Sequence, residues 1–211
     1  MPKRSVDAMS VRVEFFFDLS SPWTCLAFHN LSGVLARAGV CAQYRPILVG
    51  GVFNAVNPAV YAAREQADNR KLVHSWKILK DWARLSDVAM NFPSSWHPAK
   101  SVAAMRFCCA LEADQAALVR FARGAFESYF DRQENLDDPA VLIAVADAAG
   151  LDGAAVAEAA TSDAVKARLR ANTEEVVARG GYGSPTIFVD GTDMYFGNDQ
   201  LPLVEAALNR T

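Results

Sequence analysis

Residues 11–17, Val-Arg-Val-Glu-Phe-Phe-Phe, are rich in the β-branched and aromatic types that favour strands and too few for a buried helix. A period near 3.6 begins at once with Pro22 and runs to residue 38, where Gly39 suits a left-handed helix end. Residues 41–48 read as a second strand. Gly50-Gly51 then predicts a loop through Asn57-Pro58. Helical periodicity occupies residues 61–85, 98–113, 114–130, 139–149, 153–160 and 162–179. Asn91-Phe92-Pro93, Asp137-Asp138-Pro139 and Gly150-Leu151-Asp152-Gly153 supply the breaks. Thr186 to Val189, closed by Asp190-Gly191, predict a strand and a tight turn, and residues 192–196 predict the returning strand. A last helix reaches residue 209, with Asn198 or Asp199 as its cap. The order is β, α, β, a long helical stretch, β, β, α. The first two strands, joined by a helix, are expected to form a right-handed parallel crossover. The alanine-rich residues 140–160 are helix former and not a repeat or linker.

Chemistry concentrates where the first strand meets the first helix, at Asp18-Leu19-Ser20-Ser21-Pro22-Trp23-Thr24. Proline suits the first helical position and Ser21 the N-cap. The opening amides of a helix lack partners, and its dipole favours an anion there. In a thioredoxin-like enzyme this spot carries a low-pKa cysteine, with a second cysteine three residues on. Here serine and threonine, Ser21 and Thr24, stand at the two positions, so disulfide exchange is excluded. A hydroxyl there can still donate to a thiolate brought in by another molecule. Gly183-Ser184-Pro185-Thr186 forms the second element: a proline opening a strand is tolerated at its first residue, and thioredoxin-like folds place a cis proline there against the helix start. The backbone of Ser184 would then pair with an extended peptide. Phe196-Gly197-Asn198-Asp199 forms the third, where a carboxylate beside free amides can receive an ammonium group.

Phe-Asp-x-x-Ser-Pro, Arg45-Pro46, Gly-x-Pro-Thr and Phe-Gly-Asn-Asp occur in this order. Together they make the chain resemble the 2-hydroxychromene-2-carboxylate isomerase family, relatives of the kappa-class glutathione transferases, over nearly all of its length. The resemblance implies an α/β fold: a thioredoxin-like domain (residues 11–58 and 181–211) with a large all-helical insertion (59–180), after a flexible N-terminal tail (1–10). It implies a glutathione-dependent isomerase acting on a small aromatic carboxylate, working as a cytoplasmic homodimer in aromatic catabolism. Ser21 matches the catalytic serine that activates glutathione. Asn57 matches a glutathione-touching asparagine, Ser184 and Pro185 the peptide-pairing backbone, and Phe196, Gly197, Asn198 and Asp199 the segment holding the γ-glutamyl end. Two departures stand out. Gln200 replaces the arginine usual after the aspartate, and Ser184 replaces an aliphatic residue. A kappa-class-like transferase and a non-enzymatic thioredoxin-like binding protein are the competing readings.

Composition narrows the classes further. The 211 residues are 52% hydrophobic with a formal net charge of −3, which gives core enough for one large domain and no nucleic-acid footprint. No apolar run is long enough to span a membrane, and residues 1–10 lack the apolar stretch of a signal peptide. Cys25, Cys41, Cys108 and Cys109 have neither disulfide-exchange nor zinc spacing and read as buried structural thiols. His29, His74 and His97 read as structural or solvated. Trp76, Trp82, Phe92 and Trp96 form an aromatic stripe that reads first as core, with an apolar slot for an aromatic substrate as the alternative. Arg45, Arg64, Arg70, Lys71 and Lys100 are the candidate partners of its carboxylate.

Overall fold

A computed structural model describes residues 13–61 and 69–210. The four-stranded sheet has the order β2-β1-β3-β4. Its strands are β1 (Val13–Phe17), β2 (Ala42–Pro46), β3 (Thr186–Val189) and β4 (Asp193–Phe196). β1 runs parallel to β2 and antiparallel to β3, with Phe17 opposite Pro46 and Phe15 opposite Ile187. The β3–β4 hairpin turns at Asp190-Gly191, both with positive φ.

β1 is enclosed on both faces, which is why its sequence shows no apolar–polar alternation. Alternate residues nevertheless serve different cores. Val13, Phe15 and Phe17 join the larger cluster with Phe28 of α1 (Pro22–Ala38). Phe16 joins a smaller one with Ile47, Val52, Val176 and Phe188 on the opposite face. Burying one such phenylalanine contributes about 1.5–3 kcal/mol, so a one-residue slip of β1 would cost several such terms.

Nine α-helices are described. After α1 come α2 (Val49–Val56), α3 (Arg70–Leu85), α4 (Val102–Ala110), α5 (Gln115–Phe130), α6 (Pro139–Ala148), α7 (Gly153–Ala160), α8 (Asp163–Ala178) and α9 (Leu201–Leu208). Helices α4 and α5 extend the larger core: Phe28 meets Phe126 at 5.2 Å between ring centroids, and Phe107 stacks on Phe121 at 5.6 Å. Helix α8 lies on the smaller core through Val176. Its Asn172 donates to the Pro46 carbonyl of β2 at 3.1 Å.

Several expectations change. The segment after Gly50 is helix α2 and not a loop. The Val49 N–H at its start donates to Asp18 Oδ2 at 2.8 Å, and Leu48 N–H donates to Thr173 Oγ1 at 3.0 Å. Two long-range acceptors cap a helix whose own glycines argue against it. Helix α4 begins at Val102, after Ser101 with φ 46°, and not at residue 98. Helix α3 starts at Arg70, where Asn69 accepts from the amides of Lys71 and Leu72. Residues 62–68, including Arg64, lie outside the described residues, as do 1–12. The last helix is not capped by Asn198 or Asp199: a 3₁₀ turn, Asn198–Gln200, leads into α9 without a side-chain cap.

Candidate functional site

The site is built where the loop after β1 meets the loop before β3. Ser21 is the N-cap of α1, and its Oγ accepts from Thr24 N–H at 3.2 Å. The Cys25 N–H bonds the Ser21 carbonyl at 3.0 Å. Pro22 has no N–H, and the Trp23 amide has no partner among the described residues. One N–H of the helix start therefore remains for an anion. The Ser21 hydroxyl donates to the Ser184 carbonyl oxygen at 3.2 Å, and the Ser184–Pro185 bond is cis. Ser184 Oγ accepts from Asp18 N–H at 2.9 Å and pairs with Thr24 Oγ1 at 2.8 Å. Its hydroxyl thus fills a polar position that an aliphatic residue would leave unpaired.

Asp18 underlies this arrangement. It is fully buried, and its carboxylate accepts from Ser20 N–H (2.9 Å), Ser20 Oγ (2.8 Å), Val49 N–H (2.8 Å) and Ser101 Oγ (3.1 Å). Burial pushes its carboxyl above the ordinary aspartate range, against the pull of those four bonds. The carboxylate joins the Ser20–Ser21 turn to the starts of α2 and α4.

Aromatic rings gather beside Ser184: Tyr182 packs on Phe196 at 4.5 Å, Phe53 meets Tyr61 edge-on at 6.2 Å, and Gly183 lies against both Phe196 and Phe53. A Cβ on Gly183 would sit 2.7 Å from the Phe196 ring, so only glycine lets that ring close over the backbone. Asn57, at the end of α2, donates to the Tyr182 carbonyl at 3.4 Å. Gly197 has φ 95°, and its N–H donates to the Pro185 carbonyl at 3.2 Å. Asp199 is exposed, and its carboxylate has no hydrogen-bond partner among the described residues.

The profile of the DSBA-like thioredoxin domain matches residues 12–209. The chain belongs to that family. Among curated relatives, it is 29% identical over 212 residues to the 2-hydroxychromene-2-carboxylate isomerase of Sphingobium xenophagum, covering 95% of this chain and 99% of that protein. It is 26% identical over 205 residues to glutathione S-transferase kappa 1 of Homo sapiens, covering 91% of this chain and 88% of that protein. A solved structure of a 2-hydroxychromene-2-carboxylate isomerase superposes with a TM-score of 0.76 at 26% identity, covering 94% of this chain and 95% of that one.

Within this DSBA-like domain, Ser21 bonds the carbonyl of Ser184, which leads through its cis bond into Pro185, and Gly197 reaches Pro185. Asn57 and Phe196 both meet Tyr182. Asn198 turns inward: it is 1% exposed, and its Oδ1 accepts from Asn30 Nδ2 at 2.8 Å. Its side chain therefore braces α1. Gln200 folds back onto its own loop, where Oε1 accepts from Phe196 N–H at 3.1 Å.

Arg45 drops out as a substrate cation. It is buried on the α8 side of the sheet, bonding Glu14, Glu175 and Asn172 and lying 5.0 Å over the Phe16 ring. Lys100 is exposed next to Ser101, which touches Asp18, while Arg70 and Lys71 are exposed on the first turn of α3. The expected aromatic stripe divides. Phe92 and Trp82 pack into the larger core, whereas Trp76 and Trp96 remain partly exposed. Trp96 donates to the Gln133 carbonyl at 3.1 Å. Cys25, Cys108 and Cys109 are buried, with burial pushing the Cys25 and Cys109 thiols up to about 12; Cys41 is exposed, contrary to expectation. Among the described residues no group of three or more His, Cys, Asp or Glu could hold a metal ion, and no helix is long and apolar enough to cross a membrane.

The residues missed from the sequence are Asp18, Tyr182, Phe53 and Ser101. Asp18 lay inside a recognised motif, and its lack of a nearby basic residue was the available signal.

Proposed function

We propose that this protein is a glutathione-dependent isomerase of 2-hydroxychromene-2-carboxylate or a related aromatic-degradation intermediate, with Ser21 as the residue that activates the thiol. The observation that carries this reading is the pairing of Ser21 Oγ with the Ser184 carbonyl beside the unpartnered Trp23 amide. The residues fit glutathione: a thiolate suits the α1 start, a peptide backbone suits Ser184, and the γ-glutamyl ammonium suits the free carboxylate of Asp199.

Bound glutathione supplies a thiolate for reversible addition to the conjugated carbon, which lets the former double bond rotate toward trans-o-hydroxybenzylidenepyruvate before the thiol is returned. The protein's part is electrostatic and positional. A free thiol has a pKa of about 8.5, and the α1 start with the Ser21 hydroxyl lowers it. The Ser21 hydroxyl would donate its hydrogen bond to the sulfur instead of to the Ser184 carbonyl, leaving that carbonyl to accept a peptide N–H. The Phe53, Tyr61, Tyr182 and Phe196 rings supply an apolar wall for an aromatic substrate.

The curated kappa-class relatives make transfer the competing outcome at the same site. The deciding experiment incubates the chromene carboxylate with the protein, with and without glutathione, and follows both product and free thiol. Isomerisation that requires glutathione and leaves the thiol titre unchanged is expected. Stoichiometric loss of thiol would establish a transferase, and turnover without glutathione would remove Ser21 from its role.

A further inference from the structure

A cavity of about 180 Å³ opens between α1 and α5, beside the loop that follows α3. None of Ser21, Ser184, Tyr182 or Phe196 lines it. Its floor is apolar: Phe28 and Phe126, 5.2 Å apart between ring centroids, with Val88 and the Cys25 side chain. The Cys25 thiol is 6% exposed and has no hydrogen-bond partner among the described residues. Burial, with the Glu127 carboxylate facing it, pushes that thiol up to about 12, so it stays neutral and serves as floor. The rim is charged and mostly acidic, with Asp87, Glu127 and Asp131 beside Arg123 and His29. Arg123 precedes Glu127 by one turn of α5. Even so, none of the three carboxylates makes an ion pair or accepts a hydrogen bond among the described residues.

We propose that this cavity is a second binding site, for a small arylalkyl amine whose ring lies on Phe28, Phe126 and Val88 and whose ammonium group meets Glu127. Size favours one ring with a short chain, since an apolar cavity of about 150 Å³ takes benzene. Charge selects the end group. A primary amine, with a pKa near the value of about 10.4 for lysine, is cationic at neutral pH. It supplies the counter-charge that Asp87, Glu127 and Asp131 lack, and on the rim Arg123 is the fixed cation that opposes it. A carboxylate of the same shape would instead meet those three like charges. The site stands apart from the Ser21 chemistry and needs no glutathione.

The probes are 2-phenylethylamine and 3-phenylpropanoate, titrated at a pH of about 8, where an amine is protonated and an ordinary imidazole is not. Protein-observed NMR reads affinity and, from the aromatic side-chain resonances, location. The amine should bind saturably, shift the Phe28 and Phe126 rings, and bind about fivefold or more tightly than the acid. Glu127→Gln, an exposed substitution on α5, should weaken the amine by about threefold or more and leave the acid unweakened. Cys25→Leu fills the floor and should abolish binding of the amine, with a cooperative thermal transition verifying its fold. Should Cys25→Leu not fold, Glu127→Gln and the ring shifts decide by themselves. Absence of saturable binding, equal affinity for the two probes, or an amine affinity untouched by Glu127→Gln would overturn the proposal. So would shifts confined to Tyr182 and Phe196, which place the amine beside Ser184 instead.

Discussion

The Ser21 hydroxyl donates to the Ser184 carbonyl oxygen at 3.2 Å, across 163 residues of sequence. Both atoms are groups that a thiol-bearing peptide would use. The oxygen accepts N–H from an added strand, and the hydroxyl proton suits a sulfur anion. In the free protein each satisfies the other, so neither polar group is left unpaired while the site waits. Entry of such a ligand would exchange one hydrogen bond for two.

Ser21→Ala removes the hydroxyl and leaves the backbone start of α1 in place. Turnover of a chromene carboxylate with glutathione should fall by roughly ten- to a thousand-fold, the range expected for one charge-assisted hydrogen bond in a water-poor site. The lost N-cap bond should cost about 1 kcal/mol of stability. Steady-state rates and a denaturant titration of the two proteins check both. Turnover near the wild-type rate would show that the amide alone activates the thiol.

Asp199→Asn tests the proposed γ-glutamyl end of the site. Asp199 is exposed, so its attraction for an ammonium group is screened by water. Glutathione binding should weaken by only about two- to fivefold, in line with surface ion pairs. Calorimetry with the two proteins measures this. Equal affinities would mean that the γ-glutamyl end is held by the Gly197–Asn198 backbone alone.

Asp18 also predicts a pH dependence of stability. Its folded pKa is raised by burial, so the unfolded chain gives up this proton first as pH rises. The stability it contributes is complete below the unfolded value of about 3.9 and declines as pH climbs through the raised folded value. Asp18→Asn lacks this titration. The stability of wild type relative to Asp18→Asn should therefore grow as pH falls from about 7 toward 4. Denaturant titrations at several pH values measure it, and a constant difference across that range would show that burial does not perturb the carboxyl.

The elements that position the site were largely legible because their signals are local. Pro22 and Ser21 mark the α1 start, Gly39 its end, and Pro185 with Asp190-Gly191 frames β3. What escaped depends on distant partners. Helix α2 carries two glycines in its first turn and forms because Asp18 and Thr173 accept its opening amides. Arg45 reads as a free cation until β2 is placed against α8, where Glu175 and Asn172 enclose it. Asn198 and Asp199 are adjacent and alike in the sequence, yet one is buried against Asn30 and the other is exposed, a difference set by the 3₁₀ turn. The stripe of Trp76, Trp82, Phe92 and Trp96 reads first as core, and Phe92 and Trp82 do pack there, whereas Phe53, Tyr61, Tyr182 and Phe196 meet only because the returning hairpin lies beside the end of α2.

A crystal structure with glutathione bound tests the central claim most directly. The account predicts the sulfur within about 3.5 Å of Ser21 Oγ and close to the Trp23 amide, a distance typical of hydrogen bonds to sulfur and slightly longer than those to oxygen. The cysteinyl backbone should pair with Ser184, and the Ser21–Ser184 bond should be broken. Glutathione found elsewhere, or bound with its sulfur turned away from Ser21 while that bond stays intact, would contradict it.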